Sequence, residues 1–334
     1  MKKHIRILAG CMVLLVLFAG CGSENQSKRV ADTEEETEVA TLNIAYQYGV
    51  AYAPVIVMEK QGLIEAAYEE KTGKHVKVVW NQMSSGSDIN VGISSGSIDV
   101  GFMGVAPAIT GEMKGVGYKI FTNVSGQEHG LMTNDADINS IQDLIGSSKQ
   151  IALVNIGSIQ HIILAKTLDE LGYDPHALDS NLVAMKHPDG MVALESGNVS
   201  CQLTTSPYIY QEREEGKLHE LQEVAATWSK DDTFVVGVAS DELYSKDPEL
   251  YQALCDAMEE AITYINDNTE DAAKITCAYD GNSQEEEVKY LQSGTYSTET
   301  KGVFELSIFM KKSGFIEKEP ESYSDLVFDN VVGD

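Results

Sequence analysis

Residues 95–107 read SGSIDVGFMGVAP, and this stretch decides the fold class. Its first three residues are small and polar, which is typical of a turn that ends a helix. The apolar run at residues 98–103 predicts a short buried strand. Pro107 stands in the first turn of a predicted helix over residues 106–114. A helix end, a buried strand and a helix start in such close succession indicate an α/β protein.

Strand, loop and helix alternate in the same order on both sides of this stretch. Such alternation predicts sheets of parallel type with helices on their faces. The predicted strands lie at residues 41–46, 76–80, 98–103, 118–125, 131–133, 150–154, 182–185, 199–203 and 234–239. The predicted helices lie at residues 53–62, 88–95, 106–114, 141–145, 158–171, 189–195 and 206–214, and the chain beyond residue 241 is mostly helical.

The net charge excludes one class of partner. The chain of 334 residues carries 24 basic and 52 acidic side chains, which give a formal charge of −28. A body this acidic repels phosphate backbones, so we expect no nucleic-acid binding and no direct docking on anionic lipid. The charge of the whole protein does not fix the charge of its ligand, because a binding cleft can differ locally from the rest of the surface.

The cysteines, histidines and catalytic motifs give no sign of a metal or a cofactor. Cys201, Cys255 and Cys277 show no CxxC spacing, so we expect neither a disulfide framework nor a zinc site, although a bridge between the last two stays open. The seven histidines are scattered without the spacing of transition-metal ligands. No GxSxG, HExxH or Walker sequence is present. We therefore expect no cofactor.

The N-terminal segment predicts an address outside the cytoplasm. Residues 1–21 read MKKHIRILAGCMVLLVLFAGC, a basic start followed by an apolar stretch that is short for a transmembrane helix. The segment resembles a bacterial lipobox, with Phe18 where leucine is usual. The resemblance implies a signal peptide at residues 1–20, cleavage before Cys21 and a diacylglycerol on the Cys21 thiol. That lipid would hold the protein on the outer face of the cell membrane.

A polar segment follows the lipobox. Residues 21–40 are rich in charged side chains and lack an apolar period, so they predict a disordered tether between lipid and folded body. An uncleaved anchor and an ordinary secreted protein stay open as alternatives to the lipoprotein. Each of these alternatives also places the body of the protein outside the cytoplasm.

The chain contains a series of different short motifs, and their order and spacing taken together are specific. They are Ala53-Pro54, Gly62-Leu63-Ile64, residues 95–102 followed by Gly104-Val105-Ala106-Pro107, Asp143-Leu144-Ile145-Gly146, Gly157-Ser158-Ile159-Gln160, Ala193-Leu194-Glu195-Ser196-Gly197, and residues 310–327 with Lys312-Ser313-Gly314-Phe315. In these motifs the chain resembles the nitrate/sulfonate/taurine-type periplasmic binding proteins, whose relatives include proteins that bind thiamine-precursor pyrimidines. The resemblance covers nearly all of the chain after the N-terminal segment.

The resemblance implies a type II periplasmic binding protein fold, in which two α/β lobes are joined by two crossover strands that act as a hinge. Lobe 1 would comprise residues 41–127 and 236–334, and lobe 2 residues 128–235, with crossings near 126–131 and 233–239. The resemblance also implies a monomer that captures a small solute by lobe closure and delivers it to an ABC permease and its ATPase. The solute would be of the sulfonate, taurine or nitrate type, or a thiamine precursor.

Several loops that lead from a strand into a helix have the chemistry of a ligand site. In open α/β sheets, ligands bind outside the carboxyl ends of the strands, where the free N–H groups of helix starts can hold a negative or polar group. Tyrosines beside these loops favour a ligand with a planar or apolar body. The candidate ligand-binding residues are Tyr48, Tyr52, Ser85, Gly86, Gly104, Val105, Ala106, Gln127, His129, Gly157, Ser158, Ile159, Gln160, Ser206 and Tyr208.

Two departures from the family leave the ligand and the activity open. Ile159 stands where the family often has threonine, and Ser200-Cys201 replace a usual Asp-Ala pair. The family is similar to some pyrimidine-precursor synthases and desulfinases, so an enzyme on the same fold is an alternative, with Cys201 as the thiol to test. The lipobox favours a binding protein over such an enzyme, because those enzymes are cytoplasmic. A surface sensor that reuses the fold is a further alternative.

Overall fold

The computed structural model describes residues 39–334. The predicted signal peptide, the predicted lipidation site Cys21 and nearly all of the predicted tether therefore lie outside the described residues. Within residues 39–334, no helix combines the length and the apolar character that a membrane crossing requires.

The strands of this part of the chain form two five-stranded sheets. In chain order they are β1 (Ala40–Tyr46), β2 (Val76–Gln82), β3 (Val100–Gly104), β4 (Tyr118–Ser125), β5 (His129–Thr133), β6 (Ile151–Leu153), β7 (Leu182–Ala184), β8 (Cys201–Thr205), β9 (His219–Leu221) and β10 (Val235–Ser240). The first sheet has the order β2-β1-β3-β10-β4, and the second the order β7-β6-β8-β5-β9. We call the parts built on these sheets lobe 1 and lobe 2.

Helices cover both sheets. They are α1 (Ala53–Gln61), α2 (Leu63–Thr72), α3 (Gly86–Ser94), α4 (Val105–Met113), α5 (Ile159–Glu170), α6 (His187–Glu195), α7 (Tyr208–Glu214), α8 (Gln222–Thr227), α9 (Asp241–Lys246), α10 (Pro248–Asp267), α11 (Thr269–Asp280), α12 (Gln284–Ser293) and α13 (Val303–Lys312). Short 3-10 helices lie at Val50–Tyr52, Ile141–Leu144, Asp179–Asn181 and Tyr323–Asp325.

The strand directions confirm the predicted α/β class and correct one detail of it. β1 pairs in parallel with β2 and β3, and β6 pairs in parallel with β7 and β8. β10 is antiparallel to β3 and β4, and β5 is antiparallel to β8 and β9. Both sheets are therefore mixed, because the strand that enters each sheet from a crossover runs against its neighbours. The predicted lobe boundaries at residues 127/128 and 235/236 stay predictions.

The structure adds three elements that the sequence patterns did not reveal. The helix predicted to end at Gly62 is followed at once by α2, whose Leu63, Ile64 and Tyr68 are buried at helical spacing. β9 and α8 occupy a stretch whose polar residues obscured any period. α3 and α6 each begin two residues earlier than predicted, which moves Gly86 and His187 into the first turn of a helix.

The core of lobe 1 joins its sheet to the long helix α10. That helix buries one face, with Leu250, Leu254 and Met258 at intervals of four residues. On the sheet side, the ring of Phe121 packs edge-on against Phe102 with centroids 5.9 Å apart. This packing places β3, the centre of the stretch that opened the sequence, in the middle of the lobe and fixes where its carboxyl end emerges.

The two crossovers between the lobes lie side by side. The Phe234 N–H donates to the Ser125 carbonyl over 2.9 Å, so the start of the first crossover pairs with the end of the second. Gly126 lies so close to the second crossover that a Cβ atom there would overlap the carbonyl oxygens of Lys230 and Asp232. Only glycine fits this approach, because the neighbouring atoms are backbone and cannot move aside alone.

We predict that Gly126→Ala destabilises the protein, because the added methyl group forces the crossovers apart. The free energy of unfolding should fall by roughly 1–3 kcal/mol, the usual range for overpacking. Thermal unfolding of the variant measures this. Gly216→Ala is the control, since nothing lies within 4 Å of a Cβ atom at that position. Equal melting temperatures for the two variants would contradict the close packing of the crossovers.

Candidate functional site

Loops of both lobes surround a cavity of about 240 Å³. They follow the carboxyl ends of β1, β2 and β3 in lobe 1 and of β6, β7 and β8 in lobe 2, as expected for a ligand site in α/β sheets. The residues that line the cavity are Gln47, Tyr48, Gly49, Ala51, Tyr52, Ser84, Ser85, Gly86, Ser87, Gly104, Pro107, Val154, Asn155, Gly157, Ser158, Ile159, Gln160, Lys186, His187, Pro188, Thr205, Ser206, Tyr208 and Phe234.

Most of the sequence-predicted site residues meet at this cavity. They come from five separate loops, which the fold brings together although the residues span positions 48–208 of the chain. Those that line it are Tyr48, Tyr52, Ser85, Gly86, Gly104, Gly157, Ser158, Ile159, Gln160, Ser206 and Tyr208.

The structure places Val105 and Ala106 away from the lining, so these two expectations need correction. Both residues are fully buried in the first turn of α4. The N–H of Val105 donates to the Phe234 carbonyl over 2.8 Å. The Val105 N–H, which we expected to be available to a ligand, is thus bonded to the second crossover. Of residues 104–106, Gly104 lines the cavity.

Gln127 and His129 also lie outside the lining, packed in the first crossover. His129 is buried, and its Nδ1 lies 3.1 Å from the Gln127 carbonyl. Burial lowers the pKa of His129 to about 3, so its ring is neutral. The ring packs edge-on against Phe234 with centroids 4.5 Å apart. His129 therefore packs against Phe234, which lines the cavity, and does not line the cavity itself. We withdraw it as a direct ligand contact.

The start of α3 offers backbone donors to the cavity. Ser85 is the N-cap residue, and its side chain accepts a hydrogen bond from the Asp88 N–H. Gly86 and Ser87 follow it in the first turn, where N–H groups have no partner within the helix. Gly86 is buried against Pro107, so the backbone of this turn lies close to the cavity floor.

The start of α5 offers a second set of donors. Gly157 adopts a left-handed backbone conformation with φ of 81°, which sets the turn before the N-cap residue Ser158. The N–H of Gly157 donates to His161 Nδ1 over 3.0 Å. Asn155 in the same loop donates to the Ser87 hydroxyl across the lobes over 3.0 Å. The loops at the starts of α3 and α5 are thus joined beside the cavity.

Lys186 and His187 are two residues of the cavity lining that the sequence analysis missed. Lys186 is the N-cap residue of α6, and its Nζ lies 5.5 Å from the centroid of the Tyr48 ring in lobe 1. The His187 ring stacks on Tyr208 with centroids 5.4 Å apart, and burial lowers its pKa to about 4. A loop from a strand into a helix with Pro188 in the first turn was the signal that could have found them.

The permanent charge of the cavity lining is positive. Among the described residues that line the cavity, Lys186 is the one with a permanent positive charge, and no aspartate or glutamate is present. Ser206 adds a buried hydroxyl that has no hydrogen-bond partner. The Ser206-Pro207 peptide bond is cis. A lysine, several helix starts and an unpartnered hydroxyl without any carboxylate favour a negatively charged group over a cation.

The thiol considered for catalysis lies elsewhere. Cys201 is the fully buried first residue of β8 and does not line the cavity. Burial raises the pKa of its thiol to about 11, which keeps it protonated at neutral pH. Cys255 and Cys277 are free, so the possible bridge between them is absent from the structure. Within residues 39–334, no cluster of His, Cys, Asp and Glu side chains could hold a metal ion.

One buried carboxyl group lies in the helix that carries Tyr208 to the cavity. Glu212 of α7 is fully buried, and neither of its carboxyl oxygens has a hydrogen-bond partner. Burial raises the pKa of Glu212 to about 8, with further contributions from Glu195 and Glu220. The folded protein therefore holds a proton that the unfolded chain releases at much lower pH.

We predict that Glu212→Gln stabilises the protein in alkaline solution. A raised carboxyl pKa gives stability that is present at low pH and is lost as the pH rises toward 8, by roughly 1.4 kcal/mol per pH unit. The variant should melt near the wild type at pH 5 and above it at pH 8. Glu215→Gln on the exposed surface is the control. The same difference from wild type at both pH values would show that Glu212 is already ionised in the fold.

Comparison with known proteins identifies the fold and the family. The chain is 25% identical over 213 residues to a Bacillus subtilis (strain 168) protein that carries the name of an aliphatic sulfonates-binding protein, an alignment that covers 63% of this chain and 58% of that protein. It is 23% identical over 220 residues to the taurine-binding periplasmic protein of Escherichia coli (strain K12), covering 65% and 64%. The chain thus spans less than two thirds of the length of these relatives.

Solved structures share the fold. The alkanesulfonate-binding protein SsuA from Xanthomonas axonopodis pv. citri bound to MOPS superposes with a TM-score of 0.71 at 16% identity, covering 89% of this chain and 99% of that one. The fold is therefore that of the periplasmic binding proteins. The model of the NMT1-like family matches residues 35–278, and the chain belongs to that family. These findings confirm the resemblance inferred from the motifs.

Proposed function

We propose that the protein is the solute-binding component of an ABC importer and that it captures a small organic anion between its lobes. The observation that carries this proposal is the charge of the cavity lining. The chain as a whole has a formal charge of −28, yet the described lining holds Lys186 and no carboxylate. Because no aspartate or glutamate side chain lines this cavity of a strongly acidic protein, the cavity is suited to an anion.

The remaining lining residues suit the body of such a ligand. Tyr48, Tyr52 and Tyr208 present ring surfaces, and Ile159 adds an apolar side chain. Rings of this kind favour a short apolar or planar group beside the anionic head. An alkanesulfonate or taurine fits this combination, and the names of the relatives support the same class. A thiamine-precursor heterocycle is the alternative ligand that the rings would also accept.

The protein would work as a lipoprotein outside the cell membrane. The lipobox at residues 18–21 supports a diacylglycerol on Cys21, and residues 21–40 would tether the lobes to the membrane surface. The lobes would then comprise residues 41–127 with 236–334, and residues 128–235. A monomer held in this way would deliver its solute to a permease and an ATPase in the same membrane.

Binding without turnover is the proposed activity. An enzyme on this fold would need a reactive group at the ligand, and the thiol of Cys201 is buried away from the cavity. Recovery of a bound ligand in unchanged form, checked by mass spectrometry after incubation, supports a binding protein. A chemically altered product would make the protein an enzyme.

A thermal-shift screen tests the proposal. The purified full chain is melted with taurine, ethanesulfonate, nitrate, aminopyrimidine and thiamine. A ligand that binds only the folded state adds roughly 2.7 kcal/mol of stability at a hundredfold excess over its dissociation constant, so a true ligand raises the melting temperature measurably. A shift with an alkanesulfonate or taurine is the expected result. A shift with the uncharged pyrimidine alone would overturn the anion assignment.

We predict that Lys186→Met weakens binding of the alkanesulfonate roughly tenfold to a hundredfold, the effect of losing one hydrogen bond to a charged group. Titration calorimetry measures the affinity. Lys217→Met is the matched control, because Lys217 is an exposed lysine of the same lobe that does not line the cavity. Equal affinities for the two variants would show that Lys186 does not contact the anion.

A further inference from the structure

The C-terminal part of lobe 1 reaches across to lobe 2. Lys312, the last residue of α13, places its Nζ 2.7 and 3.0 Å from the two carboxylate oxygens of Asp169 on α5. Three residues on, the ring of Phe315 packs edge-on against His161 with centroids 5.0 Å apart and tilted against His176 with centroids 4.8 Å apart. These contacts join a segment of one lobe to a helix and a turn of the other.

A continuous series of hydrogen bonds leads from this junction to the cavity. The Ser313 carbonyl lies 2.6 Å from His176 Nε2, and His176 Nδ1 lies 2.8 Å from Asp179 Oδ2. The other carboxylate oxygen, Asp179 Oδ1, lies 3.0 Å from His161 Nε2. His161 Nδ1 in turn accepts from the N–H of Gly157, which lines the cavity. We call Gly157, His161, Asp179, His176 and Ser313 the histidine relay.

The partners in the relay fix where its protons lie. A carbonyl and a carboxylate can only accept, so these contacts are both satisfied when each ring nitrogen of His176 donates, which favours the protonated ring. The Ser313 carbonyl is the main cause that raises the pKa of His176, and Asp179 raises it further. His161 accepts from Gly157 at Nδ1, so it carries its proton at Nε2 and donates it to Asp179. Every donor in the relay therefore has an acceptor.

The two ends of the relay differ in their surroundings. His161 of α5 is 4% exposed and packs against Phe315, whereas the side chain of His176 is 41% exposed. Gly157 belongs to the loop whose Asn155 donates to Ser87 of lobe 1. One end of the relay thus lies in residues 154–158 before α5, a loop that lines the cavity and that we call the ligand loop, and the other end is an exposed hydrogen bond between lobes.

We propose that the histidine relay is an interlobe latch. His176 fastens the C-terminal segment of lobe 1 to lobe 2, and His161 is a positioning residue that holds the ligand loop in the same network. Breaking the bond between His176 and Ser313 removes one of the contacts that hold the segment, so it weakens the attachment of the segment and loosens the cavity. This inference rests on the proposed function, because lobe closure is what retains a solute.

A matched pair of substitutions separates the latch from an ordinary surface contact. His176→Gln extends its amide to the position of Nε2 and can still donate to the Ser313 carbonyl. His176→Asn reaches only the position of Nδ1, so it keeps the contact with Asp179 and loses the one with Ser313. Both variants should fold, since the side chain is partly exposed.

Hydrogen exchange of the ligand-free full chain measures how firmly residues 313–316 are held against lobe 2. We expect amides 313–316 to exchange about tenfold faster in His176→Asn than in the wild type, the change that follows from losing one hydrogen bond to a charged donor. His176→Gln should restore protection. Equal exchange in the two variants would overturn the proposal, because the bond to Ser313 would then contribute nothing to the protection of this segment.

Titration with ethanesulfonate measures whether the bond between His176 and Ser313 affects the affinity of the cavity for its ligand. His176→Asn should bind it about tenfold more weakly than His176→Gln, since part of the binding energy must hold together lobes that have lost one of their contacts. Equal affinities would contradict the coupling. If the wild type binds no anion at all, the proposed function fails, whereas the exchange comparison still decides whether the latch exists.

Discussion

Backbone contact between the two crossovers is the constraint on which the rest of the structure depends. The Phe234 N–H pairs with the Ser125 carbonyl, and Gly126 leaves no space between its own backbone and that of Lys230. Each lobe receives one antiparallel strand from this junction, β10 in lobe 1 and β5 in lobe 2. Because both sheets are entered from the same place, the carboxyl ends of their parallel strands open toward a single cavity.

The junction also selects which helix starts can serve a ligand. The Phe234 carbonyl takes the Val105 N–H, and the Phe234 ring forms part of the cavity wall. The Val105 N–H at the start of α4 is therefore unavailable to a ligand, while α3, α5 and α6 begin at the lining. A donor set of this kind costs no reorganisation when an anion enters, since the backbone dipoles are already oriented.

The acidic character of the protein and the anion-favouring cavity are compatible for a physical reason. Exposed charges more than about 8 Å away are largely screened at physiological ionic strength, whereas a group inside the cavity is exposed to its immediate neighbours. Lys186 and the helix starts are those neighbours. The many surface carboxylates then act on solubility and on encounters with other molecules, and local geometry decides the sign of the ligand.

The sequence by itself determined the α/β class and the loops from which most of the cavity is built. Those features depend on apolar periods and on glycine and proline at element ends, which are local properties of the chain. Even the loop before α5 was predicted from its own residues, with Gly157 and Ser158 at its turn.

Only the tertiary structure decided which of the loop residues line the cavity. It turned Val105 and His129 inward, brought Lys186 over Tyr48 from the other lobe, and set His176 against the carbonyl of Ser313 more than a hundred positions away. No local pattern encodes such pairs, because they arise from the packing of whole lobes against each other, and a lysine or histidine in a loop has the same local sequence character whether it meets a ligand, a neighbouring lobe or water.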